Sequence, residues 1–209
     1  MDGTGHIVPA DVSGTGMLTA SVGKSSVSIP ITVWTGVPFR DVSKRADYFD
    51  AVKYVYDNRI FEGTASDLFE PDTVMNRAML VTVLWRMCGK PTAAAPAGFA
   101  DVAADSWYGP AVAWTAESGL VKGYSASEFG PEDALTKEQI LTILHRWAGT
   151  PQAEDGFTAE LENTDDYARD AMLWALQNGL IAPGQSGLQP REPMSRAAVA
   201  EVLLRRSRL

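Results

Sequence analysis

From Phe39 onward the apolar positions fall into helical stripes that repeat. Leu80, Val83, Leu84 and Met87 line one face of a 3.6-residue helix, and Ile140, Ile143, Leu144 and Trp147 form the same stripe sixty positions later. Val199, Val202 and Leu203 form it a third time. Asn76, Thr136 and Ser195 stand where each of these helices should begin, and all three are good N-caps. Thr136 with Gln139 fits a capping box. Shorter helices are predicted upstream, carried by Val52 and Val55, Val112 and Thr115, and Met172 and Ala175. They should begin near Tyr48, Tyr108 and Tyr167 and end at Asn58-Arg59, Gly119 and Asn178-Gly179. Trp114 and Trp174 lie one residue off these stripes and read as core, while Trp85 and Trp147 read as core or interface.

The first 36 residues follow another rule. Met17 to Val22 and Ser26 to Trp34 alternate with period two around Gly23-Lys24, which predicts a β-hairpin with Pro30 at an edge or bulge. Two strands alone are marginal in water, so this segment reads as the tail of a preceding all-β domain or a linker.

Motifs recur with the stripes. Phe39-Arg40-Asp41-Val42 returns as Phe99-Ala100-Asp101-Val102, Gly63 as Gly123, and Phe69-Glu70-Pro71-Asp72 as Phe129-Gly130-Pro131-Glu132. Arg77 returns as Lys137 sixty positions on, and as Arg196 after a further 59. The fold class expected is mainly α: three helical units at 37–92, 97–151 and 155–209, behind a hairpin segment at 1–36. A pair of such helices cannot bury its apolar face alone, so the units should share a core. Ala- and Pro-rich linkers, Lys90 to Pro96 and Thr150 to Ala153, are short enough to keep neighbours in touch.

Composition narrows the function. The formal net charge of −8 argues against nucleic acid, although screening still permits a local basic site for an anionic ligand. No run of about 18 apolar residues exists, so no membrane insertion is expected. Cys88 excludes an intrachain disulfide and reads as a small buried side chain. His6 and His145 are far apart, no metal-ligand spacing or nucleotide fingerprint occurs, and no cofactor is implied. Glu154, Asp155, Glu160, Glu162, Asp165 and Asp166 form an acidic run without calcium-loop alternation and read as a solvated loop. A non-catalytic binding module is therefore expected.

The second unit carries Phe99-Ala100-Asp101-Val102, Trp107-Tyr108, Ala111-Val112, Gly123-Tyr124, Phe129-Gly130-Pro131 and Thr136-Lys137-Glu138-Gln139. In order and repetition these motifs resemble the S-layer homology family, over residues 39–209. The resemblance implies a three-pronged, pseudo-threefold spindle with grooves between prongs. It also implies non-covalent anchoring of an exported protein to the bacterial cell wall, through a secondary cell-wall polysaccharide that in several members ends in a pyruvylated amino sugar. Met1 to His6 lacks the basic and apolar regions of a secretory signal, so an extracellular location implies a fragment of a longer chain.

On this reading Arg77, Lys137 and Arg196 follow N-caps, near backbone N–H groups and the positive helix end, where a guanidinium would clamp a carboxylate. Asp41 and Asp101 would accept from sugar hydroxyls or cap turns. Gly63 and Gly123 would admit a sugar or simply serve turns, and Trp107 would offer a flat face to a pyranose. The same cations serving only as salt-bridge partners would make the chain a protein-interaction module with decayed grooves. The third unit departs most: it has Phe157-Thr158-Ala159-Glu160 for Phe-x-Asp-Val and Ala182-Pro183-Gly184 at the glycine pair, so one or two working grooves are expected. The polymer's identity and the oligomeric state are not readable from the sequence.

Overall fold

The computed structural model describes residues 10–154 and 156–209; His6, Asp155 and the Met1 to His6 segment read above lie outside them. Among the described residues there are six α-helices, one short 3₁₀ turn and one two-stranded sheet. The protein is mainly helical, as the pattern predicts. It divides into two compact units, one running to Pro71 and one spanning Asp72–Leu209.

In the first unit, strands β1 (Gly14–Val22) and β2 (Ser25–Val33) pair antiparallel, with Leu18 opposite Ile29 and Met17 opposite Pro30. Gly23, at φ 61°, fills the first position of the two-residue loop, where a type II′ turn takes glycine. Pro30 is tolerated because both strands are edges. The hairpin base is tied down at Ser13, whose hydroxyl donates to the Val37 carbonyl, and at Asp11, which accepts from the Ser43 hydroxyl. Helix α1 (Phe49–Asp57) buries Val52 and Val55 as its spacing requires. Phe39 packs edge-on against Tyr56, and its ring centroid lies 5.3 Å from that of Phe69.

The second unit holds α2 (Arg77–Met87), α3 (Gly109–Glu117), α4 (Lys137–Trp147), α5 (Arg169–Gln177) and α6 (Arg196–Arg206). The paired helices are α2 with α3 and α4 with α5, so the second helix of one copy packs on the first helix of the next. This solves the burial problem of an isolated copy: Leu80, Leu84, Val112, Ile140, Leu144, Met172 and Val199 are all fully buried. The linkers are fixed in parallel ways. Trp85 Nε1 donates to the Pro91 carbonyl at 2.8 Å, and His145 Nε2 lies at the same distance from the Pro151 carbonyl, sixty positions on. Glu117 and Gln177 accept from the N–H groups of Ala94 and Glu154. His145 is thus a linker clasp.

The three N-caps stand as expected, and Thr136 with Gln139 forms the full capping box. Beyond the pattern, the residues preceding them close a ring. Met75 N–H donates to Met194, Met194 N–H to Leu135, and Leu135 N–H to Met75, each through backbone carbonyls at 2.9 to 3.3 Å. A second tier follows: the N–H groups of Arg77, Lys137 and Arg196 donate to the carbonyls of Asp133, Glu192 and Thr73. Each copy therefore donates to a different copy and accepts from the other, a pseudo-threefold closure of the three helix starts.

Two expectations are corrected. Tyr167 does not open α5; it lies in the 3₁₀ turn Asp166–Ala168, and Ala168 is the N-cap, so Tyr167 matches Trp107 and not Tyr108. Cys88 is exposed, not buried, because α2 ends at Met87 and leaves it as the C-cap beyond the apolar stripe.

Candidate functional site

Arg77 and Arg196 are first helical residues and nearly buried; Lys137 holds the same position and is half-buried. The free N–H groups expected beside them are not free. In α2, Arg77 N–H reaches Asp133, Ala78 N–H reaches Pro131, and Met79 N–H is taken by the Asn76 side chain. In α4, Lys137 and Glu138 donate to Glu192 and Pro190, and Gln139 to Thr136. In α2 and α4 the neighbouring copy's carbonyls and the N-cap side chains have taken the donors that an anion would need.

Much of Arg77 is also committed. Its Nε donates to the Phe129 carbonyl at 2.9 Å and one Nη to the Lys122 carbonyl at 2.8 Å. Its guanidinium carbon sits 4.5 Å from the Tyr124 ring centroid and 4.6 Å from that of Phe129, a cation held between two π faces. Burial pushes its pKa below the usual arginine value, against the opposing effects of Tyr124, Asp133 and Asp101. Lys137 repeats the arrangement by donating to the Leu188 carbonyl, and burial likewise lowers its pKa.

Asp101 joins Arg77 through the Phe129 turn. Its carboxylate accepts from Phe129 N–H at 2.9 Å and from Gly130 N–H at 2.7 Å. Asp41 does the same with Phe69 and Glu70 in the first unit. Desolvation, the largest influence on Asp101, raises its pKa; the N–H bonds and the Arg77 charge outweigh it and hold the carboxyl below its usual range. Both aspartates are turn clasps. Gly63 and Gly123 are required by the same turns. A Cβ on Gly123 would stand 2.5 Å from Phe99 Cε1 and 2.6 Å from the Glu128 carbonyl, and one on Gly63 only 2.3 Å from the Ala65 carbonyl.

The structure therefore gathers Arg77, Asp101 and Gly123 round one turn, with Lys137 at the next. Asp41 and Gly63 belong to the first unit. Trp107 is exposed, with its ring edge-on to Tyr108.

An open cavity of about 200 Å³ lies beside Arg77, lined also by Lys122, Gln139, Thr142, Arg146 and Tyr167 over an apolar floor. Trp107 does not line it; Tyr167, its counterpart in the third copy, does. The Tyr167 hydroxyl donates to Glu138 at 3.3 Å, and its pKa is pushed up to about 12 by burial first and then by the Glu138 charge, so it stays neutral. Glu138 also accepts from Asp165 N–H. Arg146, Gln139 and Tyr167 are not among the ligand-binding residues expected from the sequence. A signal was there: Arg86, Arg146 and Arg205 recur at the same 60- and 59-residue offsets as Arg77, Lys137 and Arg196.

The sequence profile of the S-layer homology domain matches residues 38–78, 98–141 and 161–200. The chain belongs to the S-layer homology domain family. It is similar to the "Surface-layer 125 kDa protein" of Lysinibacillus sphaericus, 28% identical over 187 residues, covering 87% of this chain and 16% of that protein. It is 26% identical over 173 residues to the "Endoglucanase" of Bacillus sp. (strain KSM-635), covering 79% of this chain and 18% of the relative. Over 156 residues it is 30% identical to the "Cell surface protein" of Thermoanaerobacter kivui, covering 72% of this chain and 20% of that protein. The chain thus spans a fifth or less of each of these relatives. In the third S-layer homology repeat the match opens at Leu161, whereas the first two open one residue before Phe39 and Phe99. Leu161 is buried, and its carbonyl accepts from Thr164 N–H as the Phe99 carbonyl does from Val102 N–H, so Leu161 matches Phe99 in that repeat.

Proposed function

We propose that this chain is a non-catalytic cell-wall anchor, which holds a larger protein at the bacterial surface by binding an anionic secondary cell-wall polysaccharide. Membership of the S-layer homology family and relatives that include surface-layer and cell-surface proteins support the cell-wall reading. The observation that carries the chemistry is the cavity beside Arg77. Three cations, Arg77, Lys122 and Arg146, line it with Gln139 and Tyr167, and no carboxylate is among its lining residues. A guanidinium pairs with a carboxylate through charge-assisted hydrogen bonds, and a tyrosine face suits a sugar ring. A pyruvyl ketal on an amino sugar presents both features in one residue. The Gln139 carbonyl already accepts from Thr136 N–H, which leaves its NH₂ group for a sugar hydroxyl.

The test is co-sedimentation of the folded chain with sacculi from Gram-positive bacteria, before and after the secondary polymer is stripped and, separately, after mild acid removal of pyruvyl ketals. Pelleting that depends on the polymer and falls when the ketal is removed is the expected result. Equal pelleting on stripped sacculi would refute the polysaccharide reading. Pelleting that needs the polymer but not the ketal would move the anion elsewhere on the chain of sugars.

A further inference from the structure

The three second helices end alike but are charged differently, and the difference falls on the cavity. Each carries an arginine in its last turn: Arg86, Arg146 and Arg205. In α6, Glu201 stands one turn before Arg205 and pairs with its Nη2 at 3.1 Å, while Nη1 donates to the Leu180 carbonyl at 3.0 Å. In α4 the residue matching Glu201 is Thr142, and its hydroxyl is spent on the Glu138 carbonyl at 2.7 Å. Among the described residues no carboxylate pairs with Arg146. Two acids beside Tyr167 have other partners: Glu138 accepts from the Tyr167 hydroxyl at 3.3 Å, and Asp165 pairs with Arg191 at 2.5 Å. Arg146 is exposed and lines the same hollow as the buried Arg77.

We infer that Arg146, left unpaired because Thr142 replaces the acid found at Glu201, is the residue that makes this cavity receive an anionic group, whereas the equivalent pair of Lys137 and Arg205 is silenced by Glu201. The proposal rests on the anchor reading for its biological ligand, but its chemistry stands alone. An i,i+4 carboxylate on the same helix competes directly with an incoming one for the guanidinium. Arg77 supplies a fixed charge whose fork is largely occupied, so the exposed Arg146 guanidinium makes the ligand contact.

The experiment follows arginine Nε–Hε signals by NMR during titration with 2,2-dimethoxypropanoate, a small ketal carboxylate, with its methyl ester as the uncharged control. The wild type should show a saturable shift at Arg146 with the acid and none with the ester. Thr142→Glu should bind at least about tenfold more weakly than the size-matched Thr142→Gln, the effect of losing one charge-assisted hydrogen bond; the comparison between the two variants cancels the bulk that either adds to the cavity wall. Arg146→Gln, at an exposed position, is read at the Arg77 Nε–Hε signal, which lines the same cavity; its acid-dependent shift should be lost in the variant, and this covers the case in which Thr142→Glu fails to fold. Glu201→Thr should bring Arg205 into the response. An Arg146 signal indifferent to the acid, or Thr142→Glu and Arg146→Gln binding like wild type, would overturn the proposal. Sacculus pelleting with a silent Arg146 would leave the anchor standing and remove this assignment; a responding Arg146 without pelleting on any polymer-bearing sacculus would do the reverse.

Discussion

Arg77 and Phe129 lie 52 positions apart, yet the Nε–H of one donates to the carbonyl of the other at 2.9 Å. The bond fastens the second helix of the first copy to the Phe-x-Pro turn of the second. Lys137 and Leu188 repeat it one copy later. These cations are first of all what joins one copy to the next.

Arg77→Ala should therefore destabilise the fold before it touches binding. It leaves two backbone carbonyls without their donor and removes a cation from between two aromatic rings. Loss of charged hydrogen bonds and the buried carbonyls left behind predict about 2–4 kcal/mol, read from urea denaturation. Arg77→Lys should recover part of this, since an ammonium already serves at Lys137. A variant as stable as wild type would show that the clasp is dispensable.

Gly123→Ala should cost about 1–3 kcal/mol by overpacking, because the new methyl meets Phe99 and two carbonyls within 2.8 Å. If the glycine served only a sugar's approach, thermal stability would not change and only binding would fall. Thermal melts of Gly63→Ala and Gly123→Ala decide this, with destabilisation expected in both.

Asp101 gives a pH signature. Its folded-state pKa is depressed, so it binds protons more readily in the unfolded chain, and stability must rise with pH through that range. Its contribution is fully present above the unfolded value of about 3.9 and is lost as pH falls through the lower folded value. Asp101→Asn should show a flatter dependence of stability on pH between about 5 and 3 than wild type, measured by denaturation at each pH. An unchanged slope would mean that the Phe129 turn does not depend on the carboxylate charge.

The helical repeat was legible because burial imposes a 3.6-residue period that the chain shows three times over. The caps Asn76, Thr136 and Ser195 were legible for the same local reason. What the sequence hid was non-local. The ring through Met75, Leu135 and Met194 uses backbone groups, which leave no mark on side-chain pattern, and the neighbouring copy's carbonyls took donors that made the starts of α2 and α4 look like anion sites. The start of α5 near Tyr167 was legible, but its register was not: the third copy has a shorter approach, closed by a 3₁₀ turn, so that Ala168 takes the N-cap. Arg146 was in plain view as a periodic residue; its importance depends on Thr142 one turn earlier, a difference between copies and not a shared motif.

Arg59 tests the local geometry alone. It follows the C-cap of α1 at φ 56°, in the left-handed region, where the same position after α3 and α5 holds Gly119 at φ 70° and Gly179 at φ 64°. The conformation is enforced by the helix exit, since Ile60 N–H and Phe61 N–H both return to the Val55 carbonyl. A non-glycine residue there has its Cβ close to the following carbonyl, a strain that glycine lacks. The arginine side chain is exposed, so its removal gives up little packing. Arg59→Gly should raise stability by up to about 1 kcal/mol, the backbone strain relieved less the added freedom of the unfolded chain. Paired urea titrations of Arg59→Gly and Arg59→Ala measure this: a gain confined to glycine assigns the strain to the backbone, and an equal gain from alanine assigns it to the arginine side chain.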